Sequence, residues 1–100
     1  MALTFNTEIK LGGGISVENA YGRITAIDNY NGTELAAAVY VYATEQAFLD
    51  GLEAVSALPF RNSVTAPYNR ETMGTDILNL AHDAMIVGLD QQGYSATKVL

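Results

Sequence analysis

The stretch Asn19-Ala20-Tyr21-Gly22-Arg23-Ile24-Thr25-Ala26-Ile27-Asp28-Asn29-Tyr30-Asn31-Gly32-Thr33-Glu34-Leu35-Ala36-Ala37-Ala38-Val39-Tyr40-Val41-Tyr42-Ala43 decides the fold. Two strand-like runs, residues 19–29 and 34–43, flank Tyr30-Asn31-Gly32-Thr33. Asn-Gly between such runs marks a hairpin, because both residues tolerate the positive φ angles of a type I′ turn. With Asn31 and Gly32 as the loop, Tyr30 opposes Thr33, Asp28 opposes Leu35, Ala26 opposes Ala37, Ile24 opposes Val39 and Gly22 opposes Val41. That face is nearly all apolar and is expected to meet the core. On the other face Asn29 opposes Glu34, Ile27 Ala36, Thr25 Ala38, Arg23 Tyr40 and Tyr21 Tyr42. Period-two alternation thus separates a core face from an amphipathic one.

Working outward, residues 76–87 read as a helix. Ile77, Leu80, Ala81, Ala84 and Met85 form an apolar stripe, with Asn79, His82, Asp83 and Ile86 toward the other side. Thr75 is the expected N-cap, Asp76 lies in the first turn and Gly88 is the expected stop. Residues 3–11 read as an opening strand broken by Gly12-Gly13-Gly14. Residues 44–52 read as a short helical turn capped by Thr44 and closed by Gly51, and a further strand is expected between Leu52 and Thr65. Pro59 and Pro67 belong at an edge or in a loop. Residues 94–100 are expected to form a flexible tail or arm. The expected architecture is a single α+β domain over residues 1–100, a small antiparallel sheet of three to four strands with one C-terminal helix packed on one face.

One hundred residues, 49% of them apolar, suffice for one hydrophobic core and exclude a disordered chain. Charged residues are only 16%, against roughly a quarter in an ordinary soluble domain, which suggests that part of the surface is covered. Eleven acidic and five basic side chains give a net charge of −6, with no basic cluster, so nucleic acid is not an expected partner. The absence of cysteine removes disulfides, thiolate catalysis and cysteine metal sites. No apolar run approaches the ~20 residues that would cross a bilayer, and the first residues do not read as a signal peptide. A soluble chain with no membrane partner is therefore expected.

No candidate chemistry outweighs its plainer reading. Gly12-Gly13-Gly14 lacks the following lysine and helix of a phosphate-binding loop and reads as a turn. His82 is the only histidine, and with Asp83 it falls short of the three ligands of a catalytic zinc, so it reads as a surface or interface residue. No pair of carboxylates has an apolar setting that would tune it for acid–base work. Ser16, Ser56, Ser63 and Ser95 fit no nucleophile pattern. Asn31-Gly32-Thr33 matches a glycosylation sequon, but its role as a turn accounts for it. No enzyme, cofactor or metal is expected. The positive signal is aromatic. With six tyrosines and no tryptophan, the face bearing Tyr21, Arg23, Tyr40 and Tyr42 is expected to contact another protein. The alternative is that Tyr21 and Tyr42 pack under the segment after Ala43.

The run Gly14-Ile15-Ser16-Val17-Glu18-Asn19-Ala20-Tyr21-Gly22-Arg23-Ile24, with Val39-Tyr40-Val41-Tyr42-Ala43-Thr44-Glu45-Gln46-Ala47-Phe48 after the hairpin, resembles small virion-associated proteins of tailed bacteriophages. Those proteins, encoded among tail and baseplate genes, share a Gly-Ile/Val-x-Val start, an Asn/Asp-Ala-Tyr-x-Arg strand and a Val-x-x-Tyr strand. They also share a short Ala-Phe-x-Asp/Glu-Gly segment and end in a helix. The likeness covers about half the chain, mostly residues 13–51. It implies a non-enzymatic structural subunit that links or decorates tail, baseplate, fibre or neck proteins, in a ring or in repeated copies. Such a subunit is assembled in the bacterial host cytoplasm and ends in the virion. Two other classes remain: a small acidic protein-binding module or regulator acting on one partner, and a small enzyme whose site is shared between subunits.

Overall fold

A computed structural model describes residues 2–28, 33–74 and 76–99. The central hairpin is β4 (Tyr21–Asp28) and β5 (Glu34–Tyr42). Its eight pairs run from Tyr21–Tyr42 to Asp28–Leu35, in the register that the Asn-Gly reading requires. The turn itself, with the expected Asn29–Glu34 and Tyr30–Thr33 pairs, lies outside the described residues. Three strands join the hairpin: β1 (Ala2–Phe5), β6 (Ser63–Pro67) and β7 (Ala96–Val99). They make one antiparallel sheet of five strands in the order β6-β5-β4-β1-β7.

The sheet is larger than expected because residues 96–99, placed by the sequence in a tail or arm, are a strand. Ala96–Val99 is an edge strand paired along all four residues of β1. Lys98 Nζ holds it to the helix, 2.7 Å from Asp83 Oδ1 and donating to Asn79 Oδ1 at 2.9 Å. The expected opening strand is also divided. After β1 the chain bends into a second, two-stranded hairpin, β2 (Ile9–Lys10) with β3 (Ser16–Val17). Gly12–Gly14 form its tip, where Gly13 and Gly14 take φ of 72° and 78°. Those left-handed angles are why glycine stands there.

The helical segments are α1 (Glu45–Leu49), α2 (Arg70–Met73) and α3 (Ile77–Gln91). Thr44 caps α1 by accepting from Ala47 N, and Gly51 follows it at φ 75°, as expected. The cap of α3 is Asp76, whose carboxylate accepts from Asn79 N at 3.2 Å; the expected cap, Thr75, lies outside the described residues. Gly88 does not stop this helix. The chain leaves it at Gly93, with φ 88°, where Gly93 N donates to Asp90 O and Tyr94 N to Leu89 O. This Schellman arrangement satisfies carbonyls that the helix end would otherwise leave open.

Helix α3 lies on the face formed by Leu3, Phe5, Ile24, Leu35, Ala37, Val39 and Val41, all buried. Its own buried stripe is Ala81, His82, Met85 and Leu89, rotated from the expected one, with Ile77 and Leu80 packed at the margin. Between β5 and β6 the chain makes an excursion, anchored where Val55 N donates to Val41 O and Val39 N donates to Asn62 O. It turns at Ala57 with φ 55°, a geometry that costs a non-glycine residue about 1 kcal/mol. The return is that Phe60 enters the core, 5.7 Å from the Phe5 ring and 4.8 Å from the Tyr94 ring. The extra strand expected between Leu52 and Thr65 is thus β6, starting only at Ser63, with Pro67 at a sheet edge.

Candidate functional site

The face opposite α3 carries the even-numbered residues of β5 and the odd-numbered residues of β4 and β6. At one end, α1 folds back over it. Phe48 is 5.8 Å from the Tyr21 ring and 5.1 Å from the Tyr42 ring, and the Arg23 guanidinium stands 4.7 Å from its centre. Arg23 Nη1 also donates to the Tyr21 hydroxyl at 3.1 Å. Three of the four residues expected at an interface therefore converge on their own chain, so Tyr21 and Tyr42 do pack under the segment after Ala43. The cation–π contact, the edge-on Tyr42–Phe48 pair and the tilted Tyr21–Phe48 pair fix α1 against the sheet.

Tyr40, the fourth, stands apart with 47% of its surface exposed. Around it the face stays open over Thr25, Ile27, Ala36, Ala38, Ser63 and Thr65. Ile27 is 68% exposed, more than any other large apolar side chain among the described residues. None of these residues carries a charge. A concave region of about 690 Å³ borders them and continues past the β6 edge to Arg61, Gly88 and Gln91. Residues of this kind suit a protein surface: apolar and small side chains with hydroxyls, and no charge to desolvate.

His82 corrects the sequence reading. It is fully buried rather than at a surface, with Nδ1 2.6 Å from Leu78 O and Nε2 without a partner among the described residues. Donation from Nδ1–H to that carbonyl leaves Nε2 as a buried lone pair. An imidazole held this way reaches no serine or carboxylate at the surface. The signal for its burial was present in the sequence, since Leu78, Ala81, His82, Met85 and Leu89 also share one helical stripe. Replacing His82 by Leu is expected to leave stability unchanged or raise it by about 1 kcal/mol, because an unpaired buried acceptor costs about 1–3 kcal/mol. Urea unfolding checks this; a loss above about 2 kcal/mol would mean that Nε2 has a partner.

The remaining candidates stay dispersed. Gly12–Gly14 cap a hairpin, and among the described residues no three His, Asp or Glu side chains gather as a metal site. No described helix is long and apolar enough to cross a membrane. Comparison with protein families, with curated proteins and with solved structures finds no match to this chain.

Proposed function

We propose that the chain is a non-enzymatic structural component of a tailed bacteriophage particle, linking or decorating tail, baseplate, fibre or neck proteins through repeated contacts. The observation that carries this reading is the open part of the sheet face from Ile27 to Tyr40, where the side chains between Glu34 and Arg23 carry no charge. A chain with 49% apolar residues and 16% charged ones exposes such a face at the risk of aggregation unless a partner covers it. Repeated copies turn a small contact into a large total one. The likeness of residues 14–24 and 39–48 to virion-associated proteins supports the identity of the assembly.

The second reading is a small acidic protein-binding module, favoured by the net charge of −6. It would use the same face on a single partner. The two part at the particle. In gradient-purified virions of the phage that encodes it, the chain is expected in fixed stoichiometry to the tail proteins. Replacing Ile27 with Glu and Tyr40 with Ser together is expected to reduce its incorporation at least about tenfold while the isolated fold persists, since the side chains lost are solvent-facing. Absence of the wild-type chain from particles would favour the regulator.

A further inference from the structure

We infer that β6 is a self-pairing edge through which two copies of this chain join their sheets about a twofold axis. Val39 N donates to Asn62 O and Tyr68 N donates to Thr33 O, so Val64 and Ala66, which keep the same phase, direct their backbone groups toward β5. Ser63, Thr65 and Pro67 therefore direct theirs away, toward the free side of the sheet.

The row of outward groups is closed at both ends. The Gln92 side chain occupies the Arg61 backbone, accepting from Arg61 N at 2.8 Å and donating to Arg61 O at 3.1 Å. Pro67 has no N–H to offer. Between them, Ser63 and Thr65 present two donors and two acceptors with no partner among the described residues. An edge left this way is a template for another strand, and β6 lacks the lysine or inward charge that usually blocks one.

The window matches itself. In an antiparallel pair with Ser63 opposite Thr65 of a second copy, each pair exchanges two N–H···O bonds. The donors and acceptors of Ser63 and Thr65 are then all consumed, and the symmetry closes at two chains. The two Arg61 residues fall at opposite ends of the seam, roughly 20 Å apart at ~3.4 Å per residue, so they do not repel. The concave region along both sides of the edge leaves room for the incoming strand's side chains. This inference rests on backbone geometry and not on the particle reading, so either can fail alone.

The test is the solution mass of the full chain by light scattering over a concentration series. The expected mass is twice the 10.7 kDa of one chain at the upper concentrations. Thr65→Pro removes an outward N–H that no internal bond uses, and is expected to raise the dissociation constant at least about tenfold, with an unchanged thermal midpoint at dilutions where the wild-type chain is itself monomeric. Thr65→Lys, which keeps the backbone intact, is expected to do the same by placing a charge on the seam. Thr65→Val is expected to remain dimeric. A wild-type chain that stays monomeric at every concentration overturns the inference. So does a dimer that survives both Thr65→Pro and Thr65→Lys but is lost on Tyr40→Ser.

Discussion

Replacing Phe60 by Ala lowers the free energy of unfolding by about 3–4 kcal/mol, the usual cost of removing a buried phenyl ring. The ring joins three distant parts of the chain: it touches Phe5 of β1 and Tyr94 beyond α3, and it arrives on the excursion that precedes β6. Gln92 pins that excursion by clamping Arg61, so the backbone cannot collapse into the space that the ring leaves. Domains of this size are stable by about 5–15 kcal/mol, so the loss is a large share of the total. It appears as a lower urea midpoint at constant slope. Phe60→Leu, which keeps most of the volume, costs about 1 kcal/mol. A Phe60→Ala loss under about 1 kcal/mol would mean that the excursion lies on the domain rather than in it.

Gly88→Ala destabilises the domain by about 1–2 kcal/mol, although helix propensity alone predicts a gain of about 1 kcal/mol. The reason is proximity. A Cβ on Gly88 would stand 2.6 Å from Val64 Cγ1, where α3 crosses β6. Overpacking of that kind outweighs the entropy gained in the helix. With Val64 replaced by Ala the obstruction is gone, and Gly88→Ala is then expected to stabilise by about 1 kcal/mol. A double-mutant cycle reads this change of sign. If Gly88→Ala costs the same in both backgrounds, the close approach of helix and strand is not what keeps glycine there.

The same glycine shows where sequence reading loses its grip. Glycine inside a helical pattern signals either a stop or a close approach, and only the facing residue decides between them. Local chemistry was enough for the central hairpin, because a two-residue loop fixes the phase of every pair and the alternation agrees with it. It was enough for Thr44, whose capping hydroxyl acts three residues away. It was not enough for the stripe of α3, since the helix carries apolar residues around much of its circumference and two stripes satisfy the period. Nor was it enough for β7. Ala96-Thr97-Lys98-Val99 is short and only half apolar, and it becomes a strand because β1 offers it a partner some ninety residues away in sequence. Phe60 had no periodicity to place it at all.

The candidate surface was legible in part. Alternation along β4 and β5 placed Tyr21, Arg23, Tyr40 and Tyr42 on one face. That Phe48 would collect three of them depended on the path of α1 after the strand. What remains open is Tyr40 with Ile27 and the alanines between them, and the β6 edge emerged only from the backbone register and the Gln92 clamp. Both leave surface that the chain does not cover for itself.

The most direct test of the particle account is tyrosine iodination, read peptide by peptide, in the isolated chain and in gradient-purified virions. Tyr68 is 2% exposed and serves as the internal reference, protected in both states. Tyr40 is expected to react in the isolated chain and to be protected in the particle. Equal reactivity of Tyr40 in both would contradict the assignment of this face to a neighbour.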